Sequence, residues 1–211
     1  MTSDTKSLRP ATESTFRQQA DSAYRRKDTT RLEDLSKDRN PQHSAYAQFY
    51  LGTLHLNRQD FGAAQDCLAK ALKNAPSWPE ARYNLAFALA GLGRRGEAVD
   101  ALLQAERLFR QAQADDERDG GLFGRLFVYR GLLRLEIAGS VSEQDEGIYD
   151  LSRGISYLAR VADKAWAMDM VEMVASKLQE AVAARQRQAF FSGTPGVTGA
   201  APPTATTTRP E

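Results

Sequence analysis

Apolar residues in this chain recur at helical intervals, and the pattern is written twice. Ala47, Leu51 and Leu54 share one helical face, a polar break follows at Asn57–Asp60, and Ala64, Leu68 and Ala71 share another. Ala81, Leu85 and Ala88 then restart the pattern, with a break at Gly91–Gly93 and a second face at Ala98, Leu102 and Ala105. A shift of 34 residues lays segment 45–78 onto 79–112. Ala47 meets Ala81, Leu51 meets Leu85, Gly62 meets Gly96, Ala64 meets Ala98, Asp66 meets Asp100, Leu68 meets Leu102 and Ala71 meets Ala105. Phe49 with Tyr83 and Gly52 with Ala86 are softer matches. Most matched residues are small or aliphatic, the types that set packing distance. Each segment therefore predicts two helices joined by a short turn.

Local signals mark the ends of these helices. Asp60 is placed to cap the second helix of the first unit. Gly62 and Gly96 are expected to let two helices approach closely near their turn. Pro76 closes the first unit, since it cannot continue a helix. Ser77 with Glu80 predicts a capping box, with Pro79 in the tolerated first turn. Upstream, Phe16, Ala20 and Tyr24 fit one helix, and Thr30 with Glu33 predicts a capping box opening another through Leu32 and Leu35. Downstream, the polar stretch 111–121 reads as an insertion or a frayed helix end. A helix over Leu122–Ala138 follows, then a turn at Gly139–Glu143. Ser142 is expected to cap a helix carrying Ile148, Leu151, Ile155, Leu158 and Ala162. A long helix from about Asp163 to Gln188 places Trp166, Met170, Val174, Leu178, Ala181 and Val182 along one side.

These residues resemble the tetratricopeptide repeat. That family has a 34-residue helix–turn–helix with Leu–Gly in the first helix, small or aliphatic residues in the second, and a closing proline. Here they are Leu51–Gly52, Ala64, Leu68, Ala71 and Pro76, then Leu85–Ala86, Ala98, Leu102 and Ala105. The resemblance covers about a third of the chain. Two departures stand out: Arg110 replaces the second closing proline, so that helix is expected to run on, and the family's early tryptophan is absent from both units. The resemblance implies an all-α, right-handed solenoid of helix–turn–helix units, with divergent flanking helices and a C-terminal capping helix. Its expected segments are a flexible 1–12, a helical pair at 13–40 and two clear units across 41–112. A polar insertion at 113–121, a divergent third pair at 122–162, a capping helix at 163–189 and a disordered Pro/Thr/Ala/Gly tail at 190–211 complete it.

The other side of each first helix suggests a binding face. It carries Tyr46, Phe49 and Thr53 in one unit and Glu80, Tyr83 and Phe87 in the next. In tetratricopeptide proteins this face looks into a concave groove that takes extended peptides or partner helices. Filling by a terminal helix of this same chain is the alternative. Some members of the family grip the C-terminal carboxylate of heat-shock chaperones. Asn84 matches one asparagine of that grip, and Arg125 is a candidate for a third-unit basic residue. Phe49 and Thr53 stand where the first-unit lysine and asparagine would be, which argues against the grip.

Composition narrows the chemistry. A net charge of +1 over 211 residues gives no field to draw in nucleic acid or an anionic membrane. The basic run Arg25–Lys27 suits a helix C-terminus, and the Met168, Met170 and Met173 cluster reads as gap-filling core or an adaptable face. Cys67, His43 and His55 cannot build a structural zinc site, and no phosphate loop or catalytic constellation is present. No apolar run approaches the ~20 residues that cross a bilayer, and the first residues lack a secretory signal, so a cytoplasmic location is expected. The expected function is a non-enzymatic adaptor or chaperone-like module without metal or cofactor, binding a protein or peptide. A self-associating scaffold, or an accessory subunit of an enzyme or secretion system, is the alternative.

Overall fold

The computed structural model describes residues 9–112, 120–161 and 165–192. Among them are nine helices and no strand. These are α1 (Arg9–Arg25), α2 (Thr29–Ser36), α3 (Pro41–Asn57), α4 (Phe61–Asn74), α5 (Pro79–Gly91), α6 (Arg95–Gln111), α7 (Gly120–Ile137), α8 (Val141–Ala159) and α9 (Ala165–Ser192). Contacts run mainly between helices adjacent in the chain, with α1–α3, α3–α5 and α7–α9 as the next-neighbour contacts. That pattern is an all-α solenoid. The tail 193–211 and most of the polar stretch after Ala112 lie outside the described residues.

The repeated aliphatic positions make the core. Ala47, Ala64, Leu68, Ala71, Ala81, Ala98, Leu102 and Ala105 are all fully shielded from solvent. The repeated Gly62 and Gly96 behave otherwise. Both are exposed, and a Cβ at either would meet nothing within 4 Å. The close approach expected there is made at Gly52 instead, where a Cβ would lie 2.6 Å from Leu68 Cγ and 3.3 Å from the Ala64 carbonyl oxygen.

The turns show a third copy of the unit. Gln59 and Gly93, one repeat apart, both adopt positive φ, of 59° and 77°. After Gln59, the Asp60 N–H donates to the His55 carbonyl at 2.9 Å; after Gly93, the Arg94 N–H donates to Leu89 at 2.9 Å. Lys27 has φ 57°, and the Asp28 N–H donates to Ala23 at 2.9 Å. Each is the six-to-one hydrogen bond that closes a helix through a left-handed residue. The pair α1–α2 is thus built on the same turn, with a step of 32 residues from Lys27 to Gln59.

Three caps differ from the sequence expectation. Asp28, not Thr30 with Glu33, caps α2 by accepting from the Arg31 N–H at 2.9 Å. At α5 the N-cap is Trp78, with no side-chain cap bond, so Ser77 and Glu80 form no capping box; Pro79 does hold the first position. At α8 the cap is Ser140, two residues before Ser142. It forms a complete capping box with Glu143, whose carboxylate is held below its usual range by the Gly139 N–H and then by Ser140. Beyond Arg110, α6 runs to 17 residues against 14 in α4.

The pair α7–α8 packs by a different device. Gly124 and Gly131 on α7 face Gly154 and Gly147 on α8, each glycine pair spaced by seven residues. A Cβ at Gly131 would lie 2.9 Å from the Gly147 carbonyl oxygen, and one at Gly154 would lie 3.1 Å from that of Gly124. These two antiparallel helices touch backbone to backbone.

A buried ionic chain ties this pair to α6. Arg130, 3% exposed, makes two bonds to Asp150, 1% exposed, at 2.7 and 2.8 Å, and a third to Glu106 at 2.6 Å. Arg134 adds a bond to Asp150 at 2.7 Å. Burial pushes the Glu106 carboxyl up, but Arg130 and then Arg110 outweigh it, so Glu106 sits below its usual range. The bidentate fork of Arg130 fits this carboxylate geometry, which a lysine would not.

The glycine contacts and the ionic chain can each be tested. Gly131→Ala and Gly147→Ala are each expected to destabilise the protein by about 1–3 kcal/mol, because a methyl there forces two backbones apart. Gly62→Ala and Gly96→Ala are expected to be neutral or to stabilise by up to about 1 kcal/mol. Thermal melting of the four variants checks this, and a stable Gly131→Ala would mean the two helices are not in backbone contact. Arg130→Met is expected to lose about 3 kcal/mol in urea unfolding, since it strands a buried carboxylate. Glu106, with a depressed pKa, adds stability above about pH 4.5 that is lost as pH falls through its lower folded value. Glu106→Gln should therefore flatten the acid side of the stability curve; an unchanged slope would show that the pair contributes nothing.

Candidate functional site

The first helices of the units, α1, α3, α5 and α7, carry a band of aromatic rings. Tyr24 stacks on Tyr50 at 4.6 Å, Tyr50 meets Tyr46 edge-on at 5.1 Å, and Tyr46 stacks on Trp78 at 5.6 Å. Phe49 leans on Trp78 at 4.6 Å. Farther along, Tyr83 meets Phe87 at 5.0 Å, and Phe87 stacks on Tyr129 of α7 at 4.1 Å. Helical spacing puts these rings on one side of each helix, and stacking then links one unit to the next. The Tyr50 hydroxyl donates to the Asp21 carboxylate; burial, and next that bond, push its pKa up. Burial also raises Tyr83, and it pushes Tyr129 up to about 12, with help from Tyr83 and Glu136.

The structure groups the predicted site residues into two sets. Tyr46, Phe49 and Thr53 lie along α3, half-buried, and Tyr83, Asn84 and Phe87 lie along α5, also half-buried. A single hydrogen bond joins the two sets: the Asn84 amide donates to Thr53 Oγ1 at 3.0 Å, while the Thr53 hydroxyl donates to the Phe49 carbonyl at 2.9 Å. Asn84 thus bonds a side chain of the preceding unit. Glu80 is exposed in the first turn of α5. Arg125 is exposed on α7, donates to the Gly121 carbonyl at 3.1 Å and lies 5.4 Å over the Trp166 ring.

Of these eight residues, Tyr46 alone lines a cavity formed by α1, the start of α3 and the loop before α5. The cavity holds about 570 Å³ and opens where α3 and α5 begin, against the side of α1. Phe16 stacks on His43 at 4.1 Å, nearly parallel, and Tyr46 with Trp78 forms the second parallel pair. Arg17 sets its guanidinium 5.4 Å from the Tyr46 ring centroid. Pro76 and Pro79 stiffen the loop that carries Trp78, and Gln42, Asn74 and Ser77 supply polar groups at the rim. Among the described residues the Trp78 indole N–H has no hydrogen-bond partner. An indole only donates, so it is an open donor on an apolar wall. The volume is in the range of pockets that hold small ligands or peptide side chains.

Sequence reasoning missed Trp78, Phe16 and His43 as one constellation. The available signal was a tryptophan flanked by Ser77 and Pro79 in a loop between units, where a solvated loop has no use for so large a ring. Other chemistry is sparse. Cys67 is half-buried, and burial pushes its thiol up, away from the reactive thiolate. His43 Nδ1 lies 3.5 Å from Asp38 and His55 Nδ1 lies 3.2 Å from Asp60. Among the described residues no group of His, Cys, Asp or Glu could hold a metal ion, and no helix is long and apolar enough to cross a membrane.

No protein-family model matches this chain, and no curated protein does either. Among solved structures, the crystal structure of the MamA protein is similar over 87% of this chain and 97% of its own, with a TM-score of 0.54 and 14% sequence identity. At that identity the likeness shows the fold alone: a helical-repeat protein.

Proposed function

We propose that this protein is a tetratricopeptide-type interaction module that holds a segment of a protein partner on its first-helix face and catalyses no reaction. In this reading 13–40 is a first, variant unit, 45–78 and 79–112 are the regular units, 122–162 is a divergent one and 163–189 caps the stack. The observation that carries the proposal is the cavity beside Trp78. It is apolar, walled by parallel rings, and offers one unpaired donor, which suits a peptide anchored by a few side chains and a backbone carbonyl. The role we assign is that of an adaptor or chaperone-like protein of the cytoplasm, and the ring-lined surface supports its protein-binding part. Tyr83, Asn84 and Phe87 then extend the face along α5. They act mainly by holding its shape, since their contacts are already made within the chain.

The test is affinity purification of the tagged protein from its own cells, beside Trp78→Ala and Arg125→Ala. A specific partner is expected with the native protein and with Arg125→Ala, and is expected to be lost with Trp78→Ala while the melting temperature falls by only a few degrees. Retention of the same partner by a folded Trp78→Ala protein would move the site elsewhere, to the end helices or to α9.

A further inference from the structure

We propose that the cavity beside Trp78 takes the proline-rich stretch around Pro202–Pro203 from a second copy of this chain. The proposal rests on the reading of this face as a protein-binding surface and names the occupant. His43, Tyr46 and Trp78, each half-buried, line the cavity with aromatic surface, and stacking of His43 on buried Phe16 and of Tyr46 on Trp78 holds these rings in place. Flat aromatic walls are what a polyproline II segment docks on, because pyrrolidine rings lie against them and the segment is already extended, so little conformational entropy is lost. Such a segment makes no internal hydrogen bonds, and its carbonyls need outside donors. The free indole N–H of Trp78 is one, and the amides of Gln42 and Asn74 at the rim are others.

This chain carries a matching segment. Pro202–Pro203 is its sole proline pair, and residues 193–208 contain no charged side chain. An uncharged, carbonyl-rich strand fits a cavity whose one cation, Arg17, already lies on the Tyr46 ring.

Geometry assigns the segment to another copy. The start of α9 lies beside the start of α7, with the Trp166 ring 3.1 Å from where a Gly121 Cβ would stand. The helices alternate in direction along the stack, so α3, α5, α7 and α9 start at one edge, the edge that holds the cavity. Over its 28 residues α9 rises about 42 Å and delivers Ser192 to the opposite edge. The ten residues from 193 to 202 span at most about 36 Å, and the cavity lies helix pairs away along the stack as well. The tail of one copy therefore cannot set Pro202 in its own cavity. Each copy has one tail and one cavity, so the contact is head-to-tail and builds rings or open chains.

Full-length protein in sedimentation equilibrium, across a concentration series, tests this. The mass is expected to grow with concentration. Pro202→Ala/Pro203→Ala, which changes no helix, should weaken association about tenfold or more. Trp78→Phe, which keeps the ring and removes the donor, should weaken it by about threefold to tenfold. A synthetic peptide of residues 193–211 should compete and return the protein to monomer. A monomer at every concentration overturns the proposal, as does growth that neither variant reduces. A monomer whose Trp78 fluorescence responds to the proline changes would place the tail in its own cavity and equally overturn it. If the peptide fails to bind while partner capture still depends on Trp78, the tail is not the ligand and the broader reading stands. If capture is also independent of Trp78, both fall.

Discussion

Everything in this solenoid depends on how closely the two helices of a unit approach. Helix axes sit 8–10 Å apart in ordinary packing, and the lower figure requires residues with little or no side chain at the contact. In the first regular unit that role falls to Gly52, which leaves room for Leu68 and the Ala64 backbone, and the matching position of the next unit is Ala86, fully shielded. In α7–α8 it falls to four glycines, and the approach becomes backbone contact. The larger rings pack beside these contacts: Phe123 and Phe127 of α7 stack on Tyr157 of α8, and the half-buried tyrosines of α1 and α3 stack with one another and with Trp78.

The regular units were legible because the same small residues return at a fixed step, and little besides a close helix contact demands an alanine in the same place twice. The first pair escaped alignment for two reasons. Its step is two residues shorter, and the small position of its second helix is filled by Leu32, itself fully buried. Only the backbone reveals the kinship, through the left-handed residue and hydrogen bond shared by Lys27, Gln59 and Gly93. The pair α7–α8 resisted alignment because its seam uses glycine at intervals of seven, and its turn is closed by the Ser140–Glu143 box without a left-handed residue. The caps went astray by one or two residues. A cap is defined by its distance from the first helical N–H, and an aspartate just upstream takes that bond before a threonine inside the helix can.

The candidate site was half legible for a related reason. Periodicity shows which residues share a face, so Tyr46, Phe49, Tyr83 and Phe87 were found together. It cannot show which residues of a different helix or loop complete a wall. Phe16 comes from α1, His43 from the start of α3 and Trp78 from a loop, and they meet only after three helices have packed. Side chains on this face are also used within the chain. Thr53 and Asn84 bond each other and join α3 to α5.

The two ends of the molecule differ in how their polar groups are satisfied. At the α7–α8 end, charges withdrawn from water are tied to one another through Arg130, Asp150, Glu106 and Arg134. A ligand there would have to break charged hydrogen bonds in a dry setting before making any of its own, which is costly. At the α3 edge the rings are held by stacking and by the Tyr50–Asp21 hydrogen bond, and the Trp78 indole N–H has no partner among the described residues. A ligand there adds contacts and removes none, so its contribution is not offset by losses in the protein.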